Sequence, residues 1–96
     1  MDTKTALSHL REYLRVHGGE MGIRAIGIFG SVATGRAGAD SDVDIVVELD
    51  APRYAFLARI KTDLEGIFGR PVDVVRKRDG MNPLLRRCIE EDAVYA

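Results

Sequence analysis

The 96-residue sequence lacks the features of extracellular and membrane proteins. Its single cysteine, Cys88, cannot form a disulfide within the chain, and this cysteine usage is typical of a reducing cytosol. Its apolar runs are all shorter than the roughly 18 residues that a membrane span requires. The N-terminal segment also lacks the apolar core of a secretory signal. We therefore expect a cytoplasmic protein with no membrane partner.

The sequence also lacks an excess of charge of either sign. It has 14 Lys and Arg against 15 Asp and Glu, which gives a net charge of −1. Because nucleic acids attract proteins through excess positive charge, this balance argues against general nucleic-acid binding. No repeat, low-complexity tract or linker divides the chain, so we expect one domain over residues 1–96 with one modest core.

The sequence does contain an alternation of helical and strand patterns. Apolar residues at helical spacing predict helices over residues 3–17, from Asp50 to Gly69, and from Asn82-Pro83 to about Glu91, with Cys88 facing inward. Runs rich in β-branched and aromatic residues predict strands over 23–29, 43–49 and 71–75. The predicted order is αβ(turn)βαβα, an α/β fold with helices packed on a three-stranded mixed sheet.

The connections between these elements predict which residues meet. Residues 30–41 are too few for a crossover, so the first two strands should be antiparallel, whereas a helix joins the second and third strands and makes them parallel. Since side chains alternate along a strand, Asp42 and Asp44 share one face, and Asp73 on the third strand faces the same way. We therefore expect three carboxylates and the Gly30-Ser31 turn at one edge of the sheet.

Three carboxylates at one edge suggest a cation. Like charges that lie close together are unfavourable, and an all-oxygen ligand set suits Mg²⁺ or Mn²⁺ better than zinc. Two such ions are the usual device for nucleotidyl transfer, and a glycine-started helical turn with the Ser31 hydroxyl suits a triphosphate. The structural alternative is a solvated strand entry for Asp42 and Asp44 and a tolerated edge position for Asp73.

The composite pattern of Gly30-Ser31, Asp42-Val43-Asp44 and the later Asp73 resembles the DNA-polymerase-β-type nucleotidyltransferase superfamily. Within it, the chain is similar to the minimal nucleotidyltransferases, the MntA-type antitoxins of HEPN/MNT toxin–antitoxin pairs. The resemblance covers nearly the whole chain and implies a polymerase-β-like core.

The resemblance implies a role for each residue of the pattern. Gly30 and Ser31 would bind the β- and γ-phosphates of ATP. Asp42 and Asp44 would hold two Mg²⁺ ions, with Mn²⁺ as a substitute. Asp73 would bind the catalytic ion and help activate the acceptor hydroxyl.

The same resemblance implies transfer of AMP from ATP to a HEPN-type toxin, on a tyrosine hydroxyl, and is compatible with an oligomer within the toxin complex. Thr34 stands where many relatives have Arg, so a phosphate-contacting role would pass to Arg36 or be lost. Two other functions stay open: a non-catalytic antitoxin that neutralises its partner by contact, and a nucleotidyltransferase that acts on RNA or a small molecule.

A basic segment, Arg76-Lys77-Arg78, follows the third strand. Because that strand runs away from the acidic edge, these residues are expected about 17 Å from it. The segment is either a solvated face or a docking surface for an acidic partner.

Overall fold

The computed structural model describes residues 2–36, 42–51 and 53–96. The elements are α1 (Thr3–Met21), β1 (Ile23–Phe29), α2 (Gly30–Ala33), β2 (Val43–Leu49), α3 (Tyr54–Phe68), β3 (Val72–Arg76), α4 (Pro83–Asp92) and β4 (Val94–Tyr95). This order confirms the predicted α/β fold and adds the short elements α2 and β4. None of the helices in the described ranges is long and apolar enough to cross a membrane.

The sheet has four strands in the order β3-β2-β1-β4, so the prediction of three strands was wrong. β1 and β2 are antiparallel and β2 and β3 are parallel, as the connections predicted. The additional strand β4 pairs with β1 at Gly27 and Ile28. Two residues are too few to produce a strand pattern in a sequence. The pairing also needs Gly27, where a Cβ atom would lie 2.6 Å from the Val94 carbonyl oxygen.

Two helix boundaries differ from the prediction. α1 continues through Gly18-Gly19 to Met21, because this extension buries Met21, which offsets the cost of about 1 kcal/mol for each helical glycine. α3 begins at Tyr54, well after Asp50. The Asp50 carboxylate does not cap this helix and instead forms an ion pair with Arg24 Nε at 3.5 Å.

α4 begins where the sequence predicts. The Asn82 side chain accepts hydrogen bonds from the backbone N–H groups of Leu84 and Leu85. Cys88, however, is exposed, so its prediction as a buried residue was wrong. Helical spacing places Cys88 beside Ile89, and of the two only Ile89 is buried against the sheet.

The helices cover the two faces of the sheet unequally. One face, formed by alternate residues such as Ile45, packs against α1 and α3 in a large apolar cluster that includes Leu10 and Leu64. The other face packs against α4 in a smaller cluster of buried residues: Phe29, Val46, Met81 and Ile89. We call these the α1/α3 face and the α4 face.

Candidate active site

Two carboxylates lie side by side on the α4 face. Asp44 of β2 is in register with Asp73 of the parallel strand β3, and Phe29 of β1 pairs with Asp44 from the other side. Because neighbouring strands lie about 5 Å apart and register partners project to the same side, both carboxylates face the same space. The parallel crossover through α3 therefore brings together two acids that are far apart in the sequence.

Asp42 directly precedes β2 and is exposed, whereas Asp44 is half-buried. Burial raises the pKa of Asp44, and the negative charges of Asp73 and Asp42 raise it further. Asp44 is therefore the acid that interacts with both of the others.

Gly30 lies against Asp44. It follows Phe29 directly and has a φ of +69°, a conformation that side-chain-bearing residues rarely adopt. A Cβ atom at this position would overlap Asp44 Oδ2 and contact Asp44 Cγ at 3.3 Å. The glycine predicted from the sequence pattern is thus required by both the turn and the neighbouring carboxylate.

Ser31 lies inside the short helix α2, immediately after Gly30, and is partly exposed. Its carbonyl oxygen accepts a hydrogen bond from the Arg36 backbone N–H at 2.8 Å, which closes the turn after α2. The helix N-cap is Phe29, so Ser31 does not cap this helix. The next described residue after Arg36 is Asp42, and residues 37–41 lie outside the described part of the chain.

Thr34, which stands where many members of the resembled family have Arg, connects Arg36 to this turn. The Thr34 hydroxyl donates a hydrogen bond to the Gly30 carbonyl oxygen at 3.1 Å, and Arg36 Nε donates to Thr34 Oγ1 at 2.9 Å. The Arg36 guanidinium is therefore held beside the Gly30-Ser31 turn while its side chain remains exposed.

One positioning residue was missed by the sequence analysis. The Thr3 hydroxyl at the start of α1 donates a hydrogen bond to the Val32 carbonyl oxygen of α2 at 2.8 Å. This contact fixes the short helix on the body of the domain. The two residues are 29 positions apart, and no sequence pattern connects them.

The donor set at this edge fits a hard divalent cation. Asp42, Asp44 and Asp73 offer only carboxylate oxygens, and the raised pKa of Asp44 indicates a site that a positive charge would stabilise. Within residues 2–36, 42–51 and 53–96, no group of three His, Cys, Asp or Glu side chains is already drawn together closely enough to hold a metal ion. The acids share an edge of the sheet without forming a closed cage.

Comparisons with known proteins identify the family to which the chain belongs. The family model for the nucleotidyltransferase domain matches residues 7–96. A protein of Methanocaldococcus jannaschii, provisionally named protein adenylyltransferase MJ1379, is 35% identical, and the match covers 93% of this chain and 96% of the relative. The protein adenylyltransferase MntA of Thermococcus cleftensis is 32% identical over 88% of this chain and 91% of its own.

Solved structures show the same fold. One, described provisionally as a minimal nucleotidyltransferase, superposes with a TM-score of 0.76 at 37% identity and covers 98% of this chain and 95% of the other. A toxin–antitoxin crystal structure with AMP-PNP has a TM-score of 0.74 at 20% identity and covers 92% and 69% of the two chains. With the family model matched from residue 7 to residue 96, this chain belongs to the nucleotidyltransferase-domain family of enzymes.

Proposed function

We propose that this enzyme transfers AMP from ATP to a tyrosine hydroxyl of a HEPN-type toxin and so acts as the antitoxin of the pair. The observation that carries the proposal is the in-register pair Asp44 and Asp73 beside the turn at Gly30. The relatives named as protein adenylyltransferases support AMP as the transferred group and a protein as the acceptor. The toxin–antitoxin structure with AMP-PNP, which shares the fold, supports ATP as the donor and a toxin as the partner.

In the proposed reaction, the acceptor oxygen forms a bond to the α-phosphorus of ATP while the bond from that phosphorus to the bridging oxygen breaks. The products are an AMP ester of the acceptor and pyrophosphate, and the hydroxyl proton is released to water. Gly30 and Ser31 bind the β- and γ-phosphates at the turn after β1, and the Arg36 guanidinium, held by Thr34, adds positive charge beside them.

Asp42, Asp44 and Asp73 are the residues that would hold Mg²⁺, or Mn²⁺ in its place. When bound, these ions lower the pKa of the acceptor hydroxyl and neutralise charge on the leaving pyrophosphate. The chain supplies the arrangement of the acids: Asp44 and Asp73 are fixed by strand register, and Asp42 is placed by the entry to β2. We place the reaction in the cytoplasm, where ATP and Mg²⁺ are both abundant.

The direct test uses ATP labelled at the α-phosphate, Mg²⁺ and a purified HEPN-type protein as the acceptor. We expect label on the acceptor protein, its loss when EDTA is added, and an AMP-modified tyrosine in the mass spectrum of the acceptor. ATP labelled at the γ-phosphate should leave the acceptor unlabelled. Label from the γ-phosphate would show phosphoryl transfer and contradict the proposal.

A second experiment separates catalysis from neutralisation by contact. Asp73→Asn should still bind ATP and the toxin but lose transfer by two orders of magnitude or more, because activation of the acceptor is removed. Asp79→Asn is the matched control, since the Asp79 side chain is fully exposed on the turn before α4. If Asp73→Asn protects cells from the toxin as well as the wild type does, neutralisation is by contact and the proposed function is wrong.

A further inference from the structure

β3 is one of the two edge strands of the sheet, and its outward backbone groups can be identified from its pairing. The Val43 N–H bonds to the Pro71 carbonyl, and the Lys77 N–H bonds to the Val47 carbonyl. In a parallel ladder this pattern directs the odd-numbered residues of the segment towards β2. The N–H and C=O groups of Val72, Val74 and Arg76 therefore point away from the sheet.

α3 covers only the first part of this edge. The Val72 N–H donates to Glu65 Oε2 at 3.1 Å, and Lys61 Nζ donates to the Val72 carbonyl at 2.6 Å. For Val74 and Arg76, the described residues provide no hydrogen-bond partner to the outward backbone groups. A short length of strand edge from Val74 to Arg76 is thus open to a further strand.

The open edge forms the floor of a groove of about 340 Å³. Tyr54 and Leu57 of α3 line one side, and Met81 and Leu85 line the other. Tyr54 is 75% exposed, so an aromatic ring stands at the mouth of the groove with most of its surface in water. The walls are suited to apolar side chains from a segment laid along the edge.

The groove is also lined by positively charged side chains. Arg76 and Arg78 line the groove, and Arg76 Nε is buried without a hydrogen-bond partner in the described structure. Among described residues, Arg76, Lys77 and Arg78 also form no ion pair, whereas the arginines of α4 pair with acids on their own helix. A buried guanidinium N–H without a partner is costly, and a carboxylate brought into the groove would satisfy it.

From these observations we infer that the open edge of β3 docks an extended, acidic segment of the acceptor protein, which adds as a strand beside Val74 and Arg76. The identity of the partner rests on the proposed function, but the docking surface does not depend on catalysis. Arg76 lies three residues along β3 from Asp73, a distance of about 10 Å, so the basic segment begins closer to the acidic edge than the roughly 17 Å expected from the sequence. A docked strand would therefore hold a hydroxyl a few residues away within reach of the acidic edge.

A protein segment fits the groove better than a nucleic acid does. Strand addition uses the open N–H and C=O groups of Val74 and Arg76, and the apolar walls match alternate side chains of a strand. A phosphate backbone would use only the basic side chains, and the net charge of −1 gives no general attraction for it.

The first test is an NMR titration of the ¹⁵N-labelled protein with a peptide of about eight alternating Glu and Val residues. At saturation we expect the amides of Val74 and Arg76 to exchange with solvent at least about tenfold more slowly, because both become hydrogen-bonded. The same peptide with Lys in place of Glu should not bind. Absence of binding at about 1 mM, or protection of amides elsewhere, would overturn the inference.

Two variants at one position separate the charge from the backbone. Arg76→Ala should weaken peptide binding by about tenfold, since a charge-assisted hydrogen bond is lost. Arg76→Pro should weaken it further, because the outward N–H is removed while the bonds to β2 are kept. Arg11→Ala, at an exposed position on α1, is the control and should bind normally. If the proline variant does not fold, the alanine variant and the amide protection still decide the result.

Kinetics with the protein acceptor distinguish failure of docking from failure of the proposed function. Arg76→Ala should raise KM for the acceptor about tenfold and leave kcat unchanged, whereas Asp73→Asn should lower kcat. If AMP transfer occurs and Arg76→Ala leaves its KM for the acceptor unchanged, the docking surface is rejected and the proposed function stands. If the acidic peptide binds at the edge of β3 but no AMP is transferred, the docking surface stands and the proposed function is rejected. An oligonucleotide that binds this groove more tightly than the acidic peptide would reject the protein segment in favour of a nucleic acid.

Discussion

The two faces of the sheet differ in how completely their side chains are buried. The α1/α3 face contains most of the buried apolar residues of the described chain, and its strand positions Val43, Ile45 and Val47 are completely buried. On the α4 face of the same strand, Val46 is completely buried, but Asp44 and Glu48 on either side of it are only half-buried. One strand therefore contributes to a stabilising core on one side and an acidic site on the other.

This difference shows how a small domain can tolerate its acids. The large cluster provides the free energy of burial, so the α4 face can leave its carboxylates partly in water, where repulsion is screened. The raised pKa of Asp44 indicates that this arrangement still carries a cost. From this difference between the two faces, we expect substitutions near the acids on the α4 face to affect activity and substitutions on the α1/α3 face to affect stability.

The largest effect is expected from Asp44→Asn on AMP transfer. We expect a loss of about a thousandfold or more, since this carboxylate is central to the acidic group. Glu48→Gln is the matched control, because Glu48 lies on the same face of β2, four residues further along. Its activity should stay within about threefold of the wild type. AMP transfer is measured with labelled ATP. If both variants lose activity equally, the total negative charge of this face matters and Asp44 has no specific role.

The next effect compares the apolar clusters of the two faces. Leu64→Ala on the α1/α3 face should lower the free energy of unfolding by about 4 kcal/mol, and Ile89→Ala on the α4 face by about 2 kcal/mol. Both side chains are completely or almost completely buried. The smaller cluster can relax more around a cavity, which lowers its cost. Urea unfolding measures both values, and the reverse order would contradict the unequal roles of the faces.

Gly30→Ala tests the contact between the turn and Asp44. We expect a loss of about 1–3 kcal/mol in the free energy of unfolding, because the φ of +69° is strained for alanine and its methyl group would overlap Asp44 Oδ2. Gly66→Ala is the control, since Gly66 lies within α3 and has open space around it. That variant should gain about 0.5–1 kcal/mol. A Gly30 variant as stable as the wild type would show that the turn rearranges freely.

The smallest effect is a gain in stability from Asp44→Asn in the presence of EDTA. Folding raises the pKa of Asp44 above its ordinary value of 3.8. Ionisation of Asp44 therefore costs more in the folded than in the unfolded state, and stability falls as the pH rises from the ordinary pKa to the raised one. At pH 7 the variant should be more stable by at most about 1 kcal/mol, since solvent screens a half-buried group. Below the ordinary pKa the difference should disappear. A variant that melts several degrees lower at pH 7 would identify Asp44 as a structural residue.

Much of the fold follows from local patterns. The β1 and β2 runs predict both strands, and the Asn82-Pro83 pair predicts the start of α4, because each signal depends on residues that are close in the sequence. β4 and the length of α1 were not predictable in this way. β4 forms because Gly27 leaves room for another backbone, and α1 extends because Met21 has a core to enter. Both conditions depend on distant residues.

The same division applies to the sites. The sequence alone predicted which residues would carry the proposed chemistry, since Gly30-Ser31, Asp42, Asp44 and Asp73 form a pattern that strand alternation and the parallel crossover place at one edge. Only the tertiary structure decided that Thr34 holds Arg36 beside the turn and that Lys61 and Glu65 cover Val72. It also decided that the edge at Val74 and Arg76 stays open. The physical reason is that hydrogen-bond satisfaction depends on what surrounds a group in space, which a one-dimensional pattern does not specify.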